Sequence, residues 1–366
     1  MNLASFCFFR PALSKSLRDG NNVKCALRPK PNLWHERSSC LIKTPGVIGM
    51  PALMSTELFR QPLRGIIPPV ITPLSDRDTL DRAGLERVLE HMLAGGVKGL
   101  FILGTTGEGP SLGYRLRREV IEATCQIVKH RVPVLVGITD TAFVESVGIA
   151  RSAADAGADA VVLAPPYYLP EGQPELREYL DRLIPQLPLP LFLYNMPSLT
   201  KVPFELDIVK WAMQQPRVVG LKDSSGNMGY FNRLLELRGQ RPDWTIVTGP
   251  EELLAESVLL GGHGGVNGGA NIFPRLYVSL HAAAEAGDLR RTRELHSLVI
   301  AVVSRLYGIG RHSSAVIKGI KCAVSCLGLA DDFMAEPFHR FREPERKIVE
   351  AAVAELQISL GPLAKP

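Results

Sequence analysis

A chain of 366 residues, 46% of them hydrophobic, carries enough apolar surface for one large domain or two ordinary ones. Its formal charge of +5 is uneven: residues 1–54 hold eight Lys/Arg against two acidic residues, while the remainder holds 34 basic and 35 acidic residues and offers no electrostatic footprint for nucleic acid. Six cysteines, at 7, 25, 40, 125, 322 and 326, are too scattered for a disulfide framework or a zinc pattern and read as reduced thiols, and no apolar run reaches the roughly 18 residues of a membrane span.

Residues 1–54 are expected to be a leader outside the fold. They are poor in acid and contain Arg, Ser and Pro with no helical period, which suits a transit-type segment and an organelle. A secretory signal fits less well, because no positive charge precedes Leu3–Phe9. Alternatively the true start is Met50 or Met54, since Met54-Ser-Thr-Glu opens directly into the folded pattern, and the cytoplasm is then the expected compartment.

From Arg64 onward, short β-branched runs alternate with longer amphipathic stretches. The runs are Gly65–Thr72, Leu100–Leu103, Val134–Ile138, Ala160–Ala164, Leu191–Tyr194, Val218–Leu221, Ile246–Thr248 and Gly265–Asn267. Between them the helical period predicts Leu80–Ala94, Arg115–Lys129, Val144–Ala156, Glu175–Leu183, Phe204–Met213, Gly229–Leu237 and Glu252–Leu260. Such alternation signals βαβ units and a parallel sheet. One junction recurs at Ala94-Gly-Gly-Val, Asp155-Ala-Gly-Ala and Gly261-Gly-His-Gly: a helix ends in Gly, which accepts a left-handed conformation, and a buried strand follows. Eight strand candidates in this length suit a closed (β/α)8 TIM barrel. An open doubly wound sheet would carry a phosphate loop after its first strand, where this chain has Pro68-Pro69-Val-Ile-Thr-Pro73. After Asn271 the pattern is purely helical, over Tyr277–Ala286, Leu289–Tyr307, Ile317–Leu327 and Glu345–Gln357. The expected organisation is therefore leader 1–54, barrel 55–275 and C-terminal helices 276–366.

A β/α barrel places its site at the carboxyl ends of the strands, so residues just after each apolar run come first. Gly104-Thr-Thr-Gly-Glu108 offers a tight turn with two hydroxyls and main-chain N–H groups; an ordinary polar turn is the plain alternative. Tyr168 ends Pro165-Pro-Tyr-Tyr, and Tyr194 opens Tyr-Asn-Met-Pro197; an aromatic there is usually packing, yet a phenol near an amine can relay protons. Lys222 directly follows four apolar residues and should point into the barrel mouth, where partial desolvation favours the nucleophilic amine over the ammonium; the alternative is a lysine lying along the rim. Gly264-Gly-Val-Asn-Gly-Gly-Ala-Asn271 is glycine-rich as if a ligand approaches the backbone, but it lacks the dinucleotide spacing. With no P-loop and no paired-His motif, neither a cofactor nor a metal is implied.

Taken together and in this order, Gly104-Thr-Thr-Gly-Glu, Tyr194-Asn-x-Pro, Gly220-Leu-Lys222-Asp and the glycine-rich last strand resemble the dihydrodipicolinate synthase/N-acetylneuraminate lyase family over about residues 60–360. The resemblance implies that Lys222 is a Schiff-base lysine, that Tyr194 is an acid/base, and that Thr105 and Thr106 bind the pyruvate carboxylate and relay protons. It also implies that Tyr168 is lent across a dimer interface and that Val266 presents its carbonyl to the site. Gly249-Pro-Glu251-Glu252 resembles the segment whose acids hold polyol hydroxyls in sialate lyases. The synthases carry an Arg two residues after the Pro of Tyr-Asn-x-Pro; this chain has Leu199, so the electrophile lacks that carboxylate or meets a different cation.

The resulting expectation is an aldolase-type lyase joining or cleaving pyruvate, or another 2-oxo acid, and an aldehyde, polyhydroxylated rather than carboxylated, of the 2-oxo-3-deoxy sugar acid type. The alternatives are a 4-hydroxy-tetrahydrodipicolinate synthase acting on aspartate semialdehyde, a dehydratase, an N-acetylneuraminate lyase, or a non-catalytic 2-oxo-acid-binding protein. A homo-oligomer, dimer or tetramer, is expected, with no nucleic-acid or membrane partner.

Overall fold

The computed structural model describes residues 58–365. The expected leader, both alternative starts and Cys7, Cys25 and Cys40 lie outside them. The parallel strands are β1 (Gly65–Ile66), β2 (Leu100–Ile102), β3 (Val134–Gly137), β4 (Ala160–Leu163), β5 (Leu191–Asn195), β6 (Val218–Asp223), β7 (Thr245–Thr248) and β8 (Gly264–Gly265). They pair in the order β1-β8-β7-β6-β5-β4-β3-β2, each pairing parallel. The ends of that order meet. Just past β1, the Val70 N–H donates to Phe101 O at 2.8 Å and the Phe101 N–H donates to Pro68 O at 2.9 Å. The sheet thus closes on itself and leaves no unpaired edge, which rules out the open doubly wound alternative.

Besides a single turn at Pro197–Thr200, seven longer helices alternate with the strands: α1 (Arg82–Ala94), α2 (Tyr114–Val128), α3 (Phe143–Asp155), α4 (Gln173–Leu183), α5 (Leu206–Met213), α6 (Met228–Leu237) and α7 (Leu254–Leu259). An eighth, α8 (Pro274–Glu285), packs against β1 and α7 and completes the ring. Most ranges fall within two residues of those the sequence periodicity predicts, because each helix buries one apolar stripe on the sheet. The recurrent glycine junctions take the backbone expected of them, with Gly96, Gly157 and Gly261 at φ +88°, +88° and +103°. A short antiparallel hairpin, Leu74–Asp76 with Thr79–Leu80, has no counterpart in the periodicity, since Ser75, Asp76 and Thr79 are exposed and carry no buried alternation.

The remaining helices, α9 (Leu289–Leu306), α10 (Ala315–Cys326) and α11 (Glu343–Leu360), pack on one another. They join the barrel at its carboxyl-end face: α10 meets the turn Gly268–Asn271 that follows β8. The appendage therefore borders the mouth as well as α8.

The barrel interior is a layer of inward side chains including Ile67, Phe101, Leu135, Val162, Phe192, Tyr194 and Val247. Register fixes what lies opposite. Gly220 pairs with Phe192, and two residues on, Lys222 pairs with Tyr194 on one side and Val247 on the other. Period-2 alternation then aims Lys222 inward, one layer above Gly220. A Cβ at Gly220 would lie 2.6 Å from the Phe192 ring, so the absent side chain is what lets that ring fill the barrel beneath the lysine.

Closure is reinforced by Asn271, which is fully buried. Its Oδ1 accepts the Ile71 N–H at 3.0 Å, and its Nδ2 donates to Pro69 O at 3.0 Å and Gly268 O at 2.7 Å. Asn271→Ala would strand these backbone groups away from water. The expected loss is roughly 2–4 kcal/mol of unfolding free energy, seen in equilibrium urea unfolding as a lower midpoint at unchanged slope. A wild-type midpoint would contradict this role.

Candidate active site

A cavity of about 740 Å³ opens at the carboxyl ends of the strands. Thr105 and Thr106 reach it from the loop after β2, Tyr194 from β5, Lys222 from β6, and Gly249, Glu251, Glu252 and Val266 from the ends of β7 and β8. These expected residues are brought together. Tyr168 is not: it is 82% exposed on the loop after β4 and lines no part of this cavity. Its neighbour Tyr167, half-buried, lines a smaller adjoining cavity of about 160 Å³ that shares Thr105 and Tyr194 as its wall.

Lys222 is buried, with Nζ 4.1 Å from the centroid of the Tyr194 ring and 5.1 Å from that of Phe101. The two rings stand edge to face, 6.2 Å apart. Burial is the dominant influence and lowers the amine's pKa from the ordinary lysine value, while Tyr194 opposes it. The magnitudes agree with that ranking. A cation over an aromatic face gains about 0.5–2 kcal/mol, whereas complete burial moves a lysine by several pKa units. Among the described residues no carboxylate pairs with this nitrogen. Gly249 keeps the space beside it open: a Cβ there would fall 3.3 Å from Lys222 Cε and clash with Ser224 Oγ.

Tyr194 OH lies 3.3 Å from Thr105 Oγ1, a long hydrogen bond that links the amine's aromatic neighbour to the threonine turn. The residues following Tyr194 and Lys222 brace the two strand ends. Asn195 Nδ2 donates to Asp223 Oδ1 at 2.8 Å, and Asn195 Oδ1 accepts the Phe204 N–H at 3.0 Å. Asp223 also accepts from the Ser225 backbone N–H and hydroxyl. Because Asn195 and Asp223 face away from the barrel interior, this link holds Tyr194 and Lys222 opposite each other without entering the cavity.

The threonine turn is strained. Leu103 and Glu108, which bracket it, both take left-handed backbone at φ +57° and +55°, a conformation that costs a non-glycine residue about 1–3 kcal/mol. Gly109 permits the tight approach, since a Cβ there would lie 2.2 Å from Leu103 O. Glu108 ion-pairs with Lys321 of α10, both side chains being cut off from solvent, and its Oε1 accepts the Ala335 N–H at 2.9 Å.

The two acids after β7 differ. Glu251 is buried and accepts from the Gly269 N–H and the Tyr307 hydroxyl, each at 2.7 Å, and from the Tyr277 hydroxyl. Burial raises its pKa, and those three donors oppose the rise. Its oxygens are thus engaged by the protein, tying α8 and α9 to the β8 turn. Glu252 is exposed and lines the cavity.

Sequence reasoning passed over Lys321, Tyr277, Tyr307 and Lys201. Lys201 lines the cavity two residues beyond Leu199, has left-handed backbone at φ +67°, and donates from Nζ to Ser198 O at 3.1 Å. A signal for Lys321 was present: it shares the apolar stripe of α10 with Ile317, Ile320 and Val324. Tyr277 and Tyr307 gave none, since a tyrosine in a helix ordinarily packs.

Residues 62–356 match the Dihydrodipicolinate synthetase family. The chain belongs to it. Among solved structures it is similar to the dihydrodipicolinate synthase of Bacteroides thetaiotaomicron, with 54% identity, a TM-score of 0.79, and coverage of 81% of this chain and 99% of that one. It is also similar to an Escherichia coli K12 prophage protein of the dihydrodipicolinic acid synthase family, solved in complex with pyruvate, with 28% identity, a TM-score of 0.76 and coverage of 80% and 98%. A probable 2-dehydro-3-deoxy-D-pentonate aldolase of Escherichia coli K12 is 32% identical over 267 residues, covering 72% of this chain and 87% of the relative. The general activity is that of the family: a class I, Schiff-base-forming aldolase or lyase acting on a 2-oxo acid and an aldehyde. Among the described residues no helix is long and apolar enough to cross a membrane, and no group of three or more His, Cys, Asp or Glu side chains is placed to hold a metal.

The buried amine makes a stability prediction. At neutral pH the folded state pays for desolvating Lys222, so Lys222→Met is expected to raise Tm. Between the lowered folded pKa and the ordinary value of 10.5, the unfolded chain binds more protons than the folded one, so wild-type stability climbs with pH. The advantage of the Met variant should therefore shrink as pH rises through that window. A Met variant less stable than wild type at pH 7 would show that the amine is well solvated or paired.

Proposed function

We propose that this protein joins or cleaves pyruvate and a polyhydroxylated aldehyde through an imine on Lys222. The observation that carries this reading is the buried amine facing Tyr194, without a carboxylate partner among the described residues. A neutral amine attacks the pyruvate ketone, the carbinolamine loses water, and the resulting iminium withdraws electrons as a proton leaves C3. The enamine then adds to the aldehyde carbon, the new alkoxide takes a proton relayed by Tyr194, and water hydrolyses the re-formed iminium to release the product and free Lys222; cleavage runs the same steps backwards. Thr105 and Thr106 receive the 2-oxo acid carboxylate. The long Thr105–Tyr194 contact suits a relay that tightens once substrate is bound. Val266 offers its carbonyl, Gly249 leaves room at the imine, and Glu252 is the acid available to substrate hydroxyls, while Glu251 shapes the wall. Tyr168, exposed on its own subunit, fits a residue lent to the neighbouring site of a homo-oligomer.

Leu199, 47% exposed at the cavity, supports the choice of a neutral aldehyde, because an aliphatic side chain cannot hold a carboxylate. One observation favours a second reading: Lys201 supplies a cation on the same turn, and with it a carboxylated electrophile such as aspartate semialdehyde would fit. The test compares kcat/KM on a neutral hydroxyaldehyde and on aspartate semialdehyde for wild type, Leu199→Arg and Lys201→Ala. The neutral reading predicts poor wild-type activity on aspartate semialdehyde, raised selectively in Leu199→Arg by up to roughly one to three decades. Efficient wild-type activity on aspartate semialdehyde that Lys201→Ala removes selectively would replace the first reading with the second.

A further inference from the structure

We propose that Lys321 is a positioning residue for the 2-oxo acid subsite, acting through Glu108 to fix the Thr105–Thr106 turn. The inference rests on the reading that this turn receives the substrate carboxylate.

Lys321 lies outside the cavity, and no step of the chemistry uses it. It is fully buried on α10, where a lysine is tolerated only if its charge is met. Burial lowers its pKa, and Glu108 pulls the other way. Besides the Glu108 carboxylate, its Nζ donates to Phe333 O at 2.6 Å. Glu108 in turn accepts the Ala335 N–H. One carboxylate and one ammonium thus tie three pieces of chain together: the turn after β2, α10, and the segment following α10.

The other end of the tie is the strained turn. Inside it the Glu108 N–H donates to Thr105 O at 3.0 Å, and Thr72 Oγ1 donates to Gly107 O at 2.7 Å. Left-handed backbone at a non-glycine residue persists where surrounding contacts over-determine it. At Glu108 the contacts reaching its side chain come from the appendage, and Thr105 and Thr106 stand just ahead of it on the same turn. Loss of the ammonium would leave a buried carboxylate without its counter-charge. The turn would then relax toward solvent, carrying both threonines away from the geometry that a carboxylate needs. An apolar residue at 321 in the native stripe of α10 would pack well but hold nothing; the charge serves position, not packing.

The test uses pyruvate alone, so it does not depend on the aldehyde. Borohydride trapping at graded pyruvate concentrations gives both a half-saturating concentration and a maximal adduct yield. Lys321→Met is expected to raise the half-saturating concentration at least roughly tenfold while the maximal adduct per folded protein stays near wild type. A purely structural role would lower Tm and the folded fraction and leave half-saturation unmoved. If Lys321→Met does not yield folded protein, the double variant Glu108→Gln with Lys321→Met removes both charges of the buried pair, should fold, and should move half-saturation in the same direction. Thr106→Val separates the two layers of the argument. Wild-type half-saturation in Thr106→Val would overturn the reading of the turn as the carboxylate subsite. A shift in Thr106→Val, together with wild-type half-saturation in a folded Lys321 variant, would overturn the positioning role alone.

Discussion

The site depends on one costly arrangement: an amine held out of water between two aromatic faces, with no carboxylate among the described residues to meet its charge. An exposed lysine is protonated at neutral pH and cannot attack a ketone; a buried lysine paired with an acid stays protonated for a different reason. Among the described residues both buried lysines have lowered pKa values through burial, but Lys321 has Glu108 beside it, whereas Lys222 has the rings of Tyr194 and Phe101. The same physical effect is answered by pairing at one position and, among the described residues, left unanswered at the other.

A barrel supplies what such an arrangement requires. Eight parallel strands deliver side chains from distant parts of the sequence to one mouth, and closure prevents any strand from fraying there. Register does the fine placement: Tyr194 and Lys222 are paired neighbours on β5 and β6, and the Asn195–Asp223 hydrogen bond pins their strand ends from the outer face. Space is arranged by omission, with Gly220 making way for Phe192 beneath the amine and Gly249 leaving the space beside it open.

The fold was legible because each level of the sequence agreed with the next: buried runs of strand length, amphipathic stretches of helix length, and glycine at the same junction each time. Lys222, Tyr194, Thr105 and Thr106 were legible as a set because a barrel's carboxyl ends converge, so that chain order alone brings them together. Contacts between the barrel and the appendage were hidden. Glu108 finds Lys321 and Ala335, and Glu251 finds Tyr277 and Tyr307, through packing of α8, α9 and α10 that no local pattern encodes. Glu251 shows the consequence. Its motif suggested a side chain reaching for substrate hydroxyls, whereas its oxygens are occupied by protein donors.

The central claim is that Lys222 is the group that bonds to the 2-oxo acid, and peptide mapping after borohydride reduction in the presence of pyruvate addresses it directly. The account predicts one reduced pyruvate adduct per chain, on the peptide containing Lys222, with the Lys321 peptide unmodified and no adduct on Lys222→Arg, whose guanidinium stays protonated. An adduct on another lysine, or undiminished labelling of Lys222→Arg, would contradict it.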